Sequence, residues 1–302
     1  MIVYTHPACL LHQPGVGHPE SPERLHAVLS AVAGLGLSPL EAPRVDTLAL
    51  ERVHTPELVR RVRSHAPHSG LVRLDPDTAM SPGSLEAAER AAGAAVAGVD
   101  DLLARLARRV FCAVRPPGHH ATAGQAMGFC LFNSVAVAAA HALARGLPRV
   151  TIVDFDVHHG NGTQDIFWDE PRVQYVSSHQ SPLYPGSGAE SETGSSGNIV
   201  NGGLPGGSGS AEFRALWAQR LLPAIRAFAP AMILVSAGFD AHYLDPLAGL
   251  ALKAEDFEWL TQELVACAEA SAQGRVLSLL EGGYSLTALR ESTAAHLRAL
   301  GA

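Results

Sequence analysis

A chain of 302 residues that is 47% hydrophobic and 17% charged has apolar material for one large core, and its composition is neither disordered nor coiled-coil. Its net charge of -7 argues against a basic nucleic-acid face, so no nucleic-acid partner is expected. No segment approaches the ~20 apolar residues of a membrane span, so no membrane partner is expected either.

The start, Met1 to Pro7, has no basic region and no long apolar run, so it does not read as a secretory signal. A short strand is expected there, then a loop to His18, a helix from Pro22 and further Pro-punctuated loops to about residue 80. Residues 84–109 are Ala-rich and read as a helix with Ser84 as N-cap. Residues 110–114, 150–155, 173–177, 232–236 and 276–280 are short, nearly continuous apolar runs, the pattern of parallel strands covered on both faces. Between and after them, helices are expected at 134–145, 210–228, 254–272 and 285–300, with Pro223 dividing the second. The Gly/Ser-rich stretch 185–209 reads as a long surface loop. Without a Gly-Lys-Ser/Thr ending it is not a phosphate loop, and its Glu190 and Glu192 read as solvated charges, with recognition of a cation as the alternative. Alternating strands and helices imply an α/β fold, a mainly parallel multi-stranded sheet sandwiched between helices, in a single domain over 1–302. Four scattered cysteines, Cys9, Cys112, Cys130 and Cys267, form no Cys-x-x-Cys pair and read as reduced thiols of a cytoplasmic protein.

Fifteen histidines are the unusual count, and many sit where an apolar run ends. One run leads into Arg115-Pro116-Pro117-Gly118-His119-His120 and another into Asp154-Phe155-Asp156-Val157-His158-His159-Gly160-Asn161. Two more lead into Ser236-Ala237-Gly238-Phe239-Asp240 and Glu281-Gly282-Gly283-Tyr284. Ligands of open α/β sheets bind beyond the carboxyl ends of the strands, so these segments should converge. Asp154, Asp156 and His158 alternate; a continuing strand would turn all three to one face. Buried carboxylates repel and demand a neutralising partner, and Asp240 strengthens that demand. An Asp/His/Asp set with an open position is the donor set of a catalytic zinc site. His119 and His120 can supply a general base and an electrostatic neighbour, and Gly282-Gly283 lets the backbone present Tyr284.

Together with Gly17-His18-Pro19-Glu20-Ser21-Pro22-Glu23-Arg24-Leu25, Gly128-Phe129-Cys130-Leu131-Phe132-Asn133 and Asp245-Pro246-Leu247, these segments resemble the histone deacetylase superfamily, including its bacterial amidohydrolases. The opening motif looks more like the class II branch. The resemblance implies the arginase–deacetylase fold and one catalytic Zn²⁺ held by Asp156, His158 and Asp240. It implies His120 as general base and acid, His119 as its electrostatic neighbour oriented by Asp154, Asn161 as the neutral partner of His120, and Tyr284 as donor to the substrate carbonyl. It further implies K⁺ held by Asp154, Asp156, His158 and Ser177, several through backbone oxygens. Gly128, Phe129 and Tyr184 would line an acyl-lysine tunnel, although the family usually has Phe at the last of these. Arg24 and Cys130 fall where the family lines a cavity beneath the zinc.

The activity implied is zinc-dependent hydrolysis of an acylated amine, either N-acetyl-lysine in a protein or a small acetylated amine, releasing acetate. An acetylpolyamine amidohydrolase is the alternative. Class II relatives of that kind place an acidic gatekeeper where this chain has Leu247, whereas bacterial ones rely on loops and dimerisation, so a homo-oligomer is compatible. An arginase-type ureohydrolase would need two Mn²⁺ and additional aspartates, and a non-catalytic acyl-binding protein would have lost a ligand, the base or the Tyr. Neither pattern is seen.

Overall fold

The structure, a computed structural model, describes all 302 residues, Met1–Ala302. Its strands are β1 (Ile2–Thr5), β2 (Leu40–Glu41), β3 (Val72–Asp75), β4 (Thr78–Met80), β5 (Arg109–Cys112), β6 (Val150–Asp154), β7 (Val173–Gln180), β8 (Ile199–Leu204), β9 (Ile233–Ala237) and β10 (Val276–Leu280). Eight of them build one sheet in the order β2-β1-β5-β10-β9-β6-β7-β8, every neighbouring pair parallel, while β3 and β4 form a separate antiparallel hairpin. The five apolar runs are five of the six interior strands, β1 being the sixth, and β5, β6, β9 and β10 are buried along their whole length. Burial on both faces is why those runs do not alternate.

Helices α1 (Ala8–Leu11), α2 (Pro22–Gly34), α3 (Thr47–Glu51), α4 (Pro56–Ser64), α5 (Ser84–Leu103) and α6 (Ser134–Ala144) belong to the first half of the chain. The second half adds α7 (Asn161–Ile166), α8 (Ser210–Leu216), α9 (Leu222–Phe228), α10 (Ala254–Ser271) and α11 (Leu286–Leu300). Pro223 does not divide the helical run: α8 passes through a π-turn at Trp217–Leu221 directly into α9, with Leu222 N–H bonded to Trp217 O, and the wider turn just before Pro223 accommodates its ring and missing N–H. The N-terminal region is more regular than its prolines suggest: Asp46 and Thr55 cap α3 and α4 through their side chains. Ser84 is not an N-cap. Gly83 holds that position at φ +92°, and the Ser84 hydroxyl instead meets His12 Nδ1 at 2.7 Å and accepts from Ser81 N–H at 2.8 Å.

The stretch 185–209 is not all surface loop, because β8 lies inside it and closes one edge of the sheet. Its glycines mislead. A Cβ on Gly202 would come within 2.8 Å of Leu216, so glycine there reflects close helix-on-strand packing rather than a turn. No helix is long and apolar enough to cross a membrane.

Candidate metal centre and catalytic site

The four interior neighbours β5, β10, β9 and β6 end side by side, and the chain beyond each carries the polar residues singled out above. Beyond β6 the strand does not continue. Residues 156–158 form a run of bends in which Asp154 Oδ1 accepts Asp156 N–H (3.2 Å) and Asp156 Oδ1 accepts His158 N–H (2.9 Å). The expected period-two face is therefore replaced by turns. Asp154 faces His119, while Asp156 and His158 turn toward Asp240.

His158 Nδ1 lies 3.2 Å from Asp156 Oδ1 and 3.3 Å from Asp240 Oδ2, and one donor atom from each of the three lies within 4.8 Å of the others. The other carboxylate oxygens are occupied: Gly282 N–H donates to Asp156 Oδ2 (2.8 Å) and Val157 N–H to Asp240 Oδ1 (2.9 Å). Asp240 Oδ2 is buried and has no hydrogen-bond partner. Burial and the charge of Asp156 push the Asp240 carboxyl up to about 7. Burial would lower His158, but Asp156 and Asp240 outweigh it and raise the imidazole to about 10. Asp240 and His158 thus hold protons more tightly than usual, while His119 and His158 outweigh burial and keep Asp156 ionised beside them. Donor atoms about 2.0–2.2 Å from a tetrahedral zinc stand roughly 3.3 Å apart, so the observed spacings fit such an ion with a position left open.

His119 and His120 lie with ring centroids 4.0 Å apart, tilted by 43°, but have opposite electrostatics. His119 Nδ1 meets Asp154 Oδ2 at 3.0 Å, and the same oxygen accepts the Tyr175 hydroxyl at 3.1 Å. Burial opposes charge on His119, yet Asp154 and Asp156 raise it well above an ordinary histidine. His120 is held well below, by burial and then by the positive charges of His119 and His158. Its Nδ1 lies 2.8 Å from Asn161 Oδ1, an atom that can only accept, so Nδ1 carries the proton and Nε2 keeps its lone pair.

A tunnel of about 220 Å³ is lined by Asp77, His120, Gly128, Phe129, His158, Leu183, Tyr184, Leu247 and Tyr284. Phe129 stands edge-on to Tyr284 (6.2 Å) and Tyr184 edge-on to His120 (5.1 Å). Gly128 has φ +57°, and a Cβ there would strike His120 at 2.5 Å, so both conformation and space require glycine. Leu247 and Tyr184 are partly exposed at the mouth. Beneath, the Arg24 guanidinium sits 4.9 Å from the Tyr284 ring, and the Cys130 thiol donates to Gly128 O. Ser177 pairs with Asp154 across β6 and β7, and its hydroxyl meets His179 Nδ1 at 2.9 Å. The structure therefore gathers every expected site residue at one end of the sheet.

Glu190 is exposed, as expected of a solvated charge, whereas Glu192 is partly buried and does not match that expectation. Glu190 pairs with Arg220, and Glu192 accepts from Gln164 Nε2 (2.5 Å) and Gly188 N–H (3.0 Å). Glu192 is thus taken up by its own loop, while Glu190 makes only a solvent-exposed ion pair. Three buried acids had no role assigned from sequence. Glu281 Oε2 accepts from Gly118 N–H (2.6 Å) and His119 N–H (3.2 Å), bracing the histidine turn. Glu20 lies between Arg24 and Arg115. Asp245 accepts from the Tyr284 backbone at 2.7 Å. A carboxylate inside a quoted motif was the signal available for each; the partners are remote in sequence.

Comparison with known proteins agrees with this geometry. The family model described as histone deacetylase domain matches residues 18–300. The histone deacetylase-like amidohydrolase of Pseudomonas aeruginosa is 41% identical over 281 residues, covering 89% of this chain and 73% of that protein. A probable deacetylase of Archaeoglobus fulgidus is 36% identical, covering 93% of this chain and 80% of its own length. The crystal structure of the HDA15 HD domain superposes with a TM-score of 0.93 at 37% identity, covering 99% of this chain and 88% of the other.

Proposed function

The chain belongs to the histone deacetylase family and has its arginase–deacetylase fold, and from that premise we propose that it hydrolyses an acylated amine with one catalytic Zn²⁺ held by Asp156, His158 and Asp240. The observation that carries the reading is the unpartnered Asp240 Oδ2 among three donor groups at the base of a tunnel that also presents His120 and Tyr284. When bound, zinc would acidify a water molecule and polarise the amide carbonyl.

The chain's own groups supply the rest. His120, neutral and with Nε2 free, takes the proton of the attacking water and passes it to the departing amine nitrogen as the C–N bond breaks. His119, kept positive by Asp154, sits against His120 and disfavours premature protonation of it. Tyr284 donates its phenolic hydrogen to the carbonyl oxygen as negative charge develops there. Asp154, Asp156, His158 and Ser177 cluster on adjacent strand ends, which supports K⁺ binding close to the zinc ligands as part of the proposal. Four buried, unbridged cysteines support a reducing, cytoplasmic setting.

A tunnel of about 220 Å³ falls below the ~300–1,000 Å³ of pockets for drug-sized ligands and suits a narrow linear chain. Leu247 at its mouth offers no charge to a polyamine, so acetyl-lysine in a polypeptide is the favoured substrate, and acetylpolyamine the second. The test is acetate release by the zinc-loaded protein from an acetyl-lysine peptide and from N-acetylputrescine side by side. Preference for the peptide is expected. Preference for the polyamine would keep the chemistry and overturn the substrate order. No acetate from either, with zinc bound, would overturn the deacetylase reading for acetyl substrates.

A further inference from the structure

Tyr284 leaves β10 on a backbone with little restraint of its own: Gly282 and Gly283 precede it, and Gly283 has φ +120°. Three charged side chains hold that backbone: Asp156 Oδ2 accepts from Gly282 N–H (2.8 Å), and Arg24 and Asp245 grip it on either side of Gly283. Arg24 donates to Gly283 O (2.6 Å) and Glu281 O (2.5 Å), and Asp245 Oδ2 accepts from Tyr284 N–H (2.7 Å). Of the three, only Asp245 bonds the main chain of Tyr284 itself. We propose that Asp245 is the positioning residue of Tyr284, setting the place of the phenol over the tunnel floor; this rests on the deacylase reading above.

The geometry of Asp245 suits that role. Its Oδ1 accepts from Leu247 N–H (3.0 Å), a local Asx turn that fixes the carboxylate so that Oδ2 is aimed at Tyr284. Its backbone N–H donates to His242 O (2.8 Å), and His242 N–H donates to Phe239 O (3.4 Å), so the carboxylate rides on the same turn as Asp240. The phenol is thereby registered against a proposed metal ligand from a different strand end. Asp245 is only 7% exposed, so water competes little for the bond. Because both of its oxygens accept backbone N–H groups, Asp245→Asn keeps the shape but sets an amide NH₂ against a donor.

The test compares Asp245→Asn, Tyr284→Phe and the double variant in kcat, KM and zinc content, with hydrogen exchange of the 281–285 amides measured by mass spectrometry. A phenol displaced by even part of an ångström should lower kcat in Asp245→Asn by about tenfold to 100-fold. KM should stay within about threefold and zinc at one per chain. The double variant should be no slower than Tyr284→Phe alone, because both changes remove the same interaction. Exchange at 281–285 should accelerate while 276–280 stays protected. Losses that multiply in the double variant, loss of zinc from Asp245→Asn, or unchanged exchange at 281–285 would each overturn the proposal. The exchange readout needs no substrate, so it stands even where a silent wild-type enzyme has refuted the deacylase reading.

Discussion

Gly282→Ala tests the metal centre without touching a ligand or a charge. Gly282 does not have a positive φ, so alanine is conformationally allowed there and the effect is steric. The new Cβ would stand 2.1 Å from Asp240 Oδ2 and 2.6 Å from Asp156 Oδ2. An ordinary contact is about 3.5 Å, so one or both carboxylates must retreat by roughly an ångström. Metal-ligand distances tolerate about 0.2 Å, several times less than that displacement. Disturbing groups that merely support ligands typically costs about 10–100-fold in metal affinity, so direct displacement of two ligands should exceed about 100-fold, or about 2.7 kcal/mol. Zinc affinity, measured by competition with a calibrated chelator, reads this directly. Gly124→Ala is the control, since no atom lies within 4 Å of its added Cβ. Acetate release should fall with zinc occupancy in the first variant and stay unchanged in the second. Wild-type zinc affinity and turnover in Gly282→Ala would show that Asp156 and Asp240 do not hold the ion.

Tyr284→Phe should keep one zinc per chain and lose about 100-fold to 1,000-fold in kcat, as removal of an oxyanion donor does; full turnover would take the phenol out of the mechanism. Glu20 is fully buried and bonded to Arg24 (2.9 Å) and Arg115 (2.7 Å at Nη2). Burial would raise its carboxyl, but Arg115, His12 and Arg24 together hold it well below the usual range. Glu20→Gln should therefore lose about 3–5 kcal/mol in urea unfolding, by leaving two buried guanidiniums undercompensated; a loss under about 1 kcal/mol would refute this account. His296 bridges Thr261 Oγ1 (2.7 Å) and Ser278 Oγ (2.8 Å), and burial pushes it down to about 3. Below the unfolded value of about 6.5 the unfolded chain binds a proton that the folded chain refuses, so stability falls by about 1.4 kcal/mol per pH unit between 6.5 and 3. His296→Gln should flatten the stability–pH slope by nearly that amount between pH 6 and 5, whatever its stability at pH 7. Parallel slopes would mean that His296 is charged in the fold.

The parts of this architecture that are legible in the sequence are those whose physics is local. Strands β5, β6, β7, β9 and β10 can be read because a strand covered on both faces must be apolar throughout. The site can be placed because each of four such runs ends abruptly in His, Asp or Tyr. Strand β8 is hidden because Asn201-Gly202-Gly203 has the composition of a turn, and only Leu216, packed over Gly202, explains the glycine. The period-two reading of Asp154, Asp156 and His158 fails for a related reason. The carboxylates bind backbone N–H groups two residues on and bend the chain away from extended geometry.

Acidic residues show most sharply where sequence reading stops. Glu20, Asp154, Asp240, Asp245 and Glu281 all carry the same formal charge, and all are buried. Only their neighbours separate them. Glu20 faces two guanidiniums, Asp154 a protonated imidazole and a phenol, and Asp245 and Glu281 face backbone N–H groups. Burial raises Asp154, Asp245 and Glu281 above the usual carboxylate range, yet each of the four has both carboxylate oxygens bonded within the protein. Asp240 keeps one buried oxygen unanswered, 3.3 Å from a histidine that a second carboxylate also approaches. A buried anion is stable only with a compensating charge, so this unpartnered oxygen, more than the count of acids, is the observation on which the proposed cation site rests.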